Sequence, residues 1–349
     1  MSKKGIKKKD LMDFNKTLSL LLLSKLSIVQ SLEIIFSKTK NDKFKKVIKG
    51  LLNDIKSGSS LSKSFSKYPE LFNDIYIANL KVAEETGEVA GVLSVYTAYL
   101  ETMETIRNKI LQAVRYPILV LIVAAVVVCF MVFFLIPMFQ GLFFSSKAVL
   151  PPLTAFIMDI SSFIKDKIVV ICLLLSLMVY VFFKIKKTEQ FKLFIDHSII
   201  EIPLISKLYN RNLLARFSLC MTILLKSHVT LLEALKISKN ISSNKLFKEE
   251  IESLIKKLKR GETFSKNISN SKFFDLTFVR MLTVGEESAE LEKVFSLIGN
   301  YYSKEFDYYL DNLTSLIEPV LILIIGMIVA VILVAMYLPM FEMVNNFGV

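Results

Sequence analysis

Residues Ile118–Ile136 read ILVLIVAAVVVCFMVFFLI, without one charged side chain. As a helix rising 1.5 Å per residue they match roughly 30 Å of hydrocarbon, so the chain is read from a membrane span outward. The surrounding uncharged stretch runs from Arg115 to Lys147. A second uncharged run, Ile168 to Phe183, is slightly short for a bilayer, and Lys167 and Lys184 at its ends can snorkel to the two interfaces. A third, Pro319 to Phe341, lies between Glu318 and Glu342 and contains Gly326, a residue that membrane helices tolerate. The composition agrees, since 53% of the 349 residues are hydrophobic and the mean hydropathy is +0.51.

Charge sets the orientation. Of the 44 Lys and Arg residues, 20 fall in 1–115 and 21 in 184–317, whereas 138–167 holds only Lys147, Lys165 and Lys167. By the positive-inside rule both large segments face the cytoplasm, and the loop 139–166 and tail 342–349 face outward. The expected layout is a first cytoplasmic domain 1–115, spans at 116–138, 167–183 and 318–341, and a second cytoplasmic domain 184–317. The opening MSKKGIKKKD with its later leucine run mimics a signal peptide, but Asp10, Asp13 and Lys25 interrupt the pattern and no small-residue cleavage site follows. Lys3, Lys4 and Lys7-Lys8-Lys9 read either as a solvated arm or as a contact to anionic lipid, worth about 1 kcal/mol per residue near the surface. The net charge of +12 is mostly topology, so no direct nucleic-acid partner is inferred from it.

The two cytoplasmic segments are copies of one another at an offset of 202 to 203 residues. Phe14, Leu18, Leu21 and Leu22 fall on Phe217, Met221, Leu224 and Leu225; Ser31-Leu32-Glu33-Ile34 falls on Ala234-Leu235-Lys236-Ile237. Phe44, Ile48, Leu51, Leu52 and Ile55 repeat as Phe247, Ile251, Leu254, Ile255 and Leu258, an apolar stripe at helical spacing in both copies. Gly58 and Gly261 then follow basic residues, the usual end of a helix. Val82 to Val89 matches Val284 to Leu291, and each span leaves on the same kind of tetrapeptide, Ile136-Pro137-Met138-Phe139 and Leu338-Pro339-Met340-Phe341. With no strand-like alternation of useful length, the expected class is an all-α integral membrane protein: two homologous cytoplasmic bundles of five or six helices and three transmembrane helices.

These motifs resemble the family of type II secretion F-type and type IV pilus C-type inner-membrane platform proteins, including the competence members. The family's glycine-glutamate-x-serine-glycine-x-leucine element is matched by Ala83-Glu84-Glu85-Thr86-Gly87-Glu88-Val89 and by Gly285-Glu286-Glu287-Ser288-Ala289-Glu290-Leu291. Tyr116-Pro117 opens the first span, and Leu150-Pro151-Pro152-Leu153-Thr154 matches the family's Leu-Pro-x-x-Thr. Departures are Ala83, Ala289, and Glu318 where the first copy has Tyr116. The resemblance implies a non-enzymatic platform in the bacterial inner membrane, a homo-oligomer that couples a cytoplasmic hexameric ATPase to extrusion of pilin or pseudopilin subunits. Accessory inner-membrane assembly proteins and membrane lipid are the other implied partners.

Within that frame Glu84, Glu85, Gly87, Glu286 and Glu287 are the candidate partner-contact residues. A carboxylate at a helix C-terminus is disfavoured by about 0.3–1 kcal/mol, which suggests recruitment by a partner; a solvated turn is the plainer alternative. A divalent ion held by carboxylates between domains lacks any EF-hand or dense ligand spacing. Cys129, Cys172 and Cys220 show no metal or disulfide spacing, and His197 and His228 are the only histidines, His228 reading as surface or turn. No cofactor, metal or catalytic residue is expected: Walker loop, His-Glu-x-x-His, Gly-x-Ser-x-Gly and Gly-x-Gly-x-x-Gly motifs are missing. The alternative is a membrane transporter, or a scaffold unrelated to pili; the uncharged spans argue against transport, which uses ionisable or broken-helix sites at mid-membrane.

Overall fold

The structure is a computed structural model that describes residues 5–6, 8–145, 151–185 and 188–347. Lys3, Lys4, Lys7, Lys147, Leu150 and Lys187, and the side chains of Lys8, Cys172 and Glu342, lie outside the described set. Among the described residues the chain is helical with no strand. Breaks at Lys109/Ile110, Phe194/Ile195 and Tyr309/Leu310 separate two compact units.

The first unit holds both sequence copies. Copy one is α1 (Lys8–Leu23), α2 (Ile28–Lys38), α3 (Asp42–Lys56), α4 (Leu61–Ser66), α5 (Asp74–Thr86) and the start of α6 (Val89–Phe130). Copy two is α11 (Pro203–Lys226), α12 (Leu231–Ser238) with a 3₁₀ turn at Lys239–Ile241, α13 (Lys245–Leu258), α14 (Phe264–Ile268), α15 (Leu276–Glu287) and the start of α16 (Leu291–Phe347). Boundaries are duplicated because their chemistry is. The Asn41 side chain accepts the Lys43 and Phe44 amides at 3.1 and 3.3 Å to start α3, and Asn244 accepts Phe247 N at 3.1 Å to start α13. Lys25 and His228 both take left-handed φ, 68° and 61°, closing the turn after α1 and after α11. Gly87 does so at 75° and its counterpart Ala289 at 56°, so the second copy keeps the turn with a methyl in a region that normally disfavours one. Gly285, where copy one has the buried Ala83, is required: a Cβ there would sit 2.9 Å from that of Val294.

Each bundle closes on the same aromatic pairs. Phe14 packs on Phe44 and Phe72 with centroids 5.4 and 6.0 Å apart, and Phe217 on Phe247 and Phe274 at 5.8 and 5.6 Å. Such offset and edge geometry adds about 0.5–1.5 kcal/mol per pair beyond area burial. The two bundles share one continuous apolar core, with α5 against α11 and α12.

The second unit contains the rest of α6, a π-helical segment Met131–Leu135, α7 (Ile136–Ser145), α8 (Pro152–Asp166), α9 (Ile168–Ile185) and the rest of α16. α10 (Glu189–Glu201) follows. By length and composition Val89–Gly141 and Leu291–Phe341 each contain enough apolar helix to cross a membrane. Prolines within them lack an N–H and free a carbonyl one turn earlier. Val132 lies five residues before Pro137, in the π register, and Ala335 four residues before Pro339. α8 supplies the missing donors. Ser161 Oγ donates to the Val132 carbonyl at 2.8 Å, and Thr154 Oγ1 donates to that of Ala335. Both hydroxyls are buried and stand seven residues apart on one face of α8, with Met158 between them packed on Met131, Ile136, Ile332 and Met336. Tyr116 and Glu318, the mismatched pair at the start of the two copies' spans, are joined directly, Tyr116 Oη donating to Glu318 at 2.8 Å.

Candidate functional site

The acidic element sits at the end of α5 in one bundle and of α15 in the other. Its first glutamate points inward. The Glu84 carboxylate accepts the Leu61 amide, the Ser62 amide at 3.1 Å and the Ser62 hydroxyl at 2.6 Å. Glu286 repeats this on the Phe264 amide at 2.5 Å, the Ser265 amide at 2.8 Å and the Ser265 hydroxyl. The acceptors therefore lie at the C-terminal turn of one helix in sequence but at the N-terminus of another in space, over the unpaired amides of α4 and α14. There the helix dipole favours a negative charge, and the expected C-terminal penalty does not apply. These bonds tie the shortest helix of each bundle, α4 or α14, to α5 or α15, the helix just before the one that continues into the long apolar stretch.

Glu85, Gly87 and Glu287 face solvent. They stay available to a partner, whereas Glu84 and Glu286 are each already committed within their own bundle. The two elements are not brought together into one site. Among the described residues no cluster of three or more His, Cys, Asp or Glu could hold a metal ion.

A second polar network escapes sequence reasoning. Asp275 caps α15 by accepting Phe278 N at 3.0 Å, accepts the Tyr302 hydroxyl from α16, and pairs with Arg211 of α11 at 2.7 Å. The Arg211 guanidinium also lies over the Tyr302 and Tyr309 rings, 5.4 and 5.8 Å from their centroids. Burial, then the bond to Asp275, pushes the Tyr302 hydroxyl far above its usual range, so it stays a donor. α11 and the start of α15 thereby hold α16 at Tyr302 and Tyr309. In copy one the corresponding cap, Asn73, is neutral and accepts Tyr76 N at 3.0 Å and the Tyr96 hydroxyl at 3.2 Å. The cap at Asn73 and Asp275 is visible in sequence as one polar position shared by both copies; its arginine partner is not.

Duplicated bundles, each continuing into a long apolar helix interrupted by proline, define the class: an internally repeated, all-helical, membrane-associated protein. The chain belongs to the family described as Type II secretion system (T2SS), protein F, whose model matches residues 14–137 and again 217–339. The two matches begin 203 and end 202 residues apart, which is the internal repeat. It is 27% identical to the type IV pilus assembly protein PilC of Pseudomonas aeruginosa, over 99% of this chain and 92% of the relative. It is 28% identical to PilC of Thermus thermophilus, over 98% and 84%, and 23% identical to the type II secretion system protein F of Vibrio cholerae, over 98% and 84%. The family is one of machinery components, and the chain is not an enzyme.

Proposed function

We propose that the chain is the inner-membrane platform of a type IV pilus, type II secretion or competence pseudopilus machine, transmitting movement of a cytoplasmic assembly ATPase to pilin or pseudopilin subunits. One observation carries this reading: the two copies pack as a single body although the first span and α9 separate them in sequence. Two domains in contact must lie on one side of a membrane, so the chain between them must cross an even number of times. That supports a crossing by α9, whose 18 residues extend the uncharged run to include Lys184 and Ile185. With the third span, both bundles then face the ATP-containing side and the tail faces outward. The exposed apolar surface of the spans, such as Leu119, Val126, Leu173 and Met178, suits lipid.

Mechanically, α6 and α16 each start within a bundle and continue into a span, so a force on the bundle reaches the membrane along one helix. The test is reconstitution in liposomes with the partner ATPase. No ATP turnover is expected from the chain alone, with a changed turnover rate when chain and ATPase are together. Turnover by the chain alone, or a partner rate indifferent to its presence, contradicts the proposal.

A further inference from the structure

The contact between the two copies uses different faces of the same fold. On copy one it uses α5 and α6: Val82, Val95 and Tyr99 pack onto the shared core. On copy two it uses α11, where Cys220 and Ile223 are buried and Arg216 is half-buried. α5 lies against α11 and α12, and Tyr99 joins the same core as Cys220 and Ile223; burial, with Cys220 beside it, raises the Tyr99 hydroxyl, and Arg216 opposes the rise.

Each face has a counterpart on the other copy, and each counterpart is bare. Val82, Val95 and Tyr99 correspond to Val284, Leu297 and Tyr301, which are 61%, 60% and 41% exposed. Ile223, 1% exposed, corresponds to Leu20, 57% exposed. Arg216 and Cys220 correspond to Asp13 and Thr17, and these two line an open cavity of 470 Å³ in copy one, between α1, α2 and the start of α3. Among the described residues this hollow is open, and it lies at the position where copy two meets Tyr99. The unmatched tyrosine, Tyr301, is on the same chain.

The geometry points to a second copy of this chain as the occupant: its α15–α16 face, led by Tyr301 and Leu297, docks on Leu20 and the Asp13–Thr17 cavity, repeating between chains the contact that joins the copies within one. The occupant is chosen by the internal contact itself, which shows this fold covering these faces with itself. Such a head-to-tail contact is heterologous and leaves one free face at each end, so it propagates or closes into a ring. On the membrane reading above, all copies share one bilayer and one orientation. Rotation about the membrane normal satisfies that and closes a ring, and in-plane translation satisfies it as an open row.

The test uses the full chain in membranes, with Cys129, Cys172 and Cys220 replaced by alanine. Thr17→Cys and Tyr301→Cys are placed on separately tagged copies and oxidised. A covalent dimer carrying both tags is expected, at least about tenfold stronger than either substitution gives with itself. As a check that the bundles retain their packing, Tyr99→Cys with the native Cys220 retained should close within one chain. If that internal bridge forms but the mixed pair does not, a partner other than a second copy covers these faces and the inference fails. Predominant Tyr301→Cys pairing with itself would indicate a two-fold dimer and also overturn it. Since the readout is a covalent band rather than assembly or ATP turnover, its failure leaves the platform reading standing.

Discussion

Replacing Glu286 by alanine should lower the stability of the second bundle by about 2–3 kcal/mol, while Glu287→Ala, one residue along, should leave it unchanged. The difference follows from where the two side chains point. Glu286 accepts two amides and one hydroxyl at the start of α14, and its loss strands donors that are partly shielded from water. Unsatisfied buried groups cost about 1–3 kcal/mol each, and the half-exposed setting keeps the sum near the lower end. Glu287 is exposed and makes no such bond among the described residues. Thermal unfolding of the detergent-solubilised chain checks both, and equal effects would refute the clamp. Glu84 and Glu85 should repeat the contrast. Charge reversal at Glu84 or Glu286 therefore disturbs the bundle itself, whereas Glu85→Lys and Glu287→Lys isolate a partner contact: loss of assembly with normal abundance would reveal one.

The second large effect is expected at α8. Thr154→Val keeps shape and removes the donor to the Ala335 carbonyl, which Pro339 has deprived of its helical partner. The expected cost is about 1–2 kcal/mol, between the value for a stranded buried acceptor and the smaller values measured for hydroxyl bonds inside bilayers. The mechanism has a sharper signature than its size. In a Pro339→Ala background the helix regains an N–H at position 339, so Thr154→Val should then cost almost nothing. A double-mutant cycle on unfolding in detergent measures that coupling. Strict additivity would mean that Thr154 does not act through the proline-freed carbonyl.

Much of this architecture is legible in the residues. The apolar run at Ile118–Ile136 announces a span, and duplication exposes the bundles, since Asn41 and Asn244, or Gly58 and Gly261, mark the same boundaries twice. What escapes is pairing at a distance. Glu84 reads as an acid stranded at a helix C-terminus because one-dimensional reasoning sees only its own helix; the amides it serves belong to a helix that starts 23 residues earlier. A clue was present, for Ser62 and Ser265 occupy equivalent positions. Thr154 is recognisable as part of a family signature, but its work depends on Pro339, 185 positions further on. Copies with matching faces also cannot reveal which face is covered: Ile223 and Leu20 look interchangeable in sequence, yet one is buried by a neighbour and the other is bare.

The packing of both bundles into one body requires them to lie on the same side of the membrane, and reporter topology tests this most directly. The account predicts that a cytoplasm-active reporter inserted after Lys187 is active, and that an export-active reporter inserted after Lys147 is active as well. A fusion after Lys187 that is active only on the outer side would place the second bundle away from the first and contradict the three-span platform.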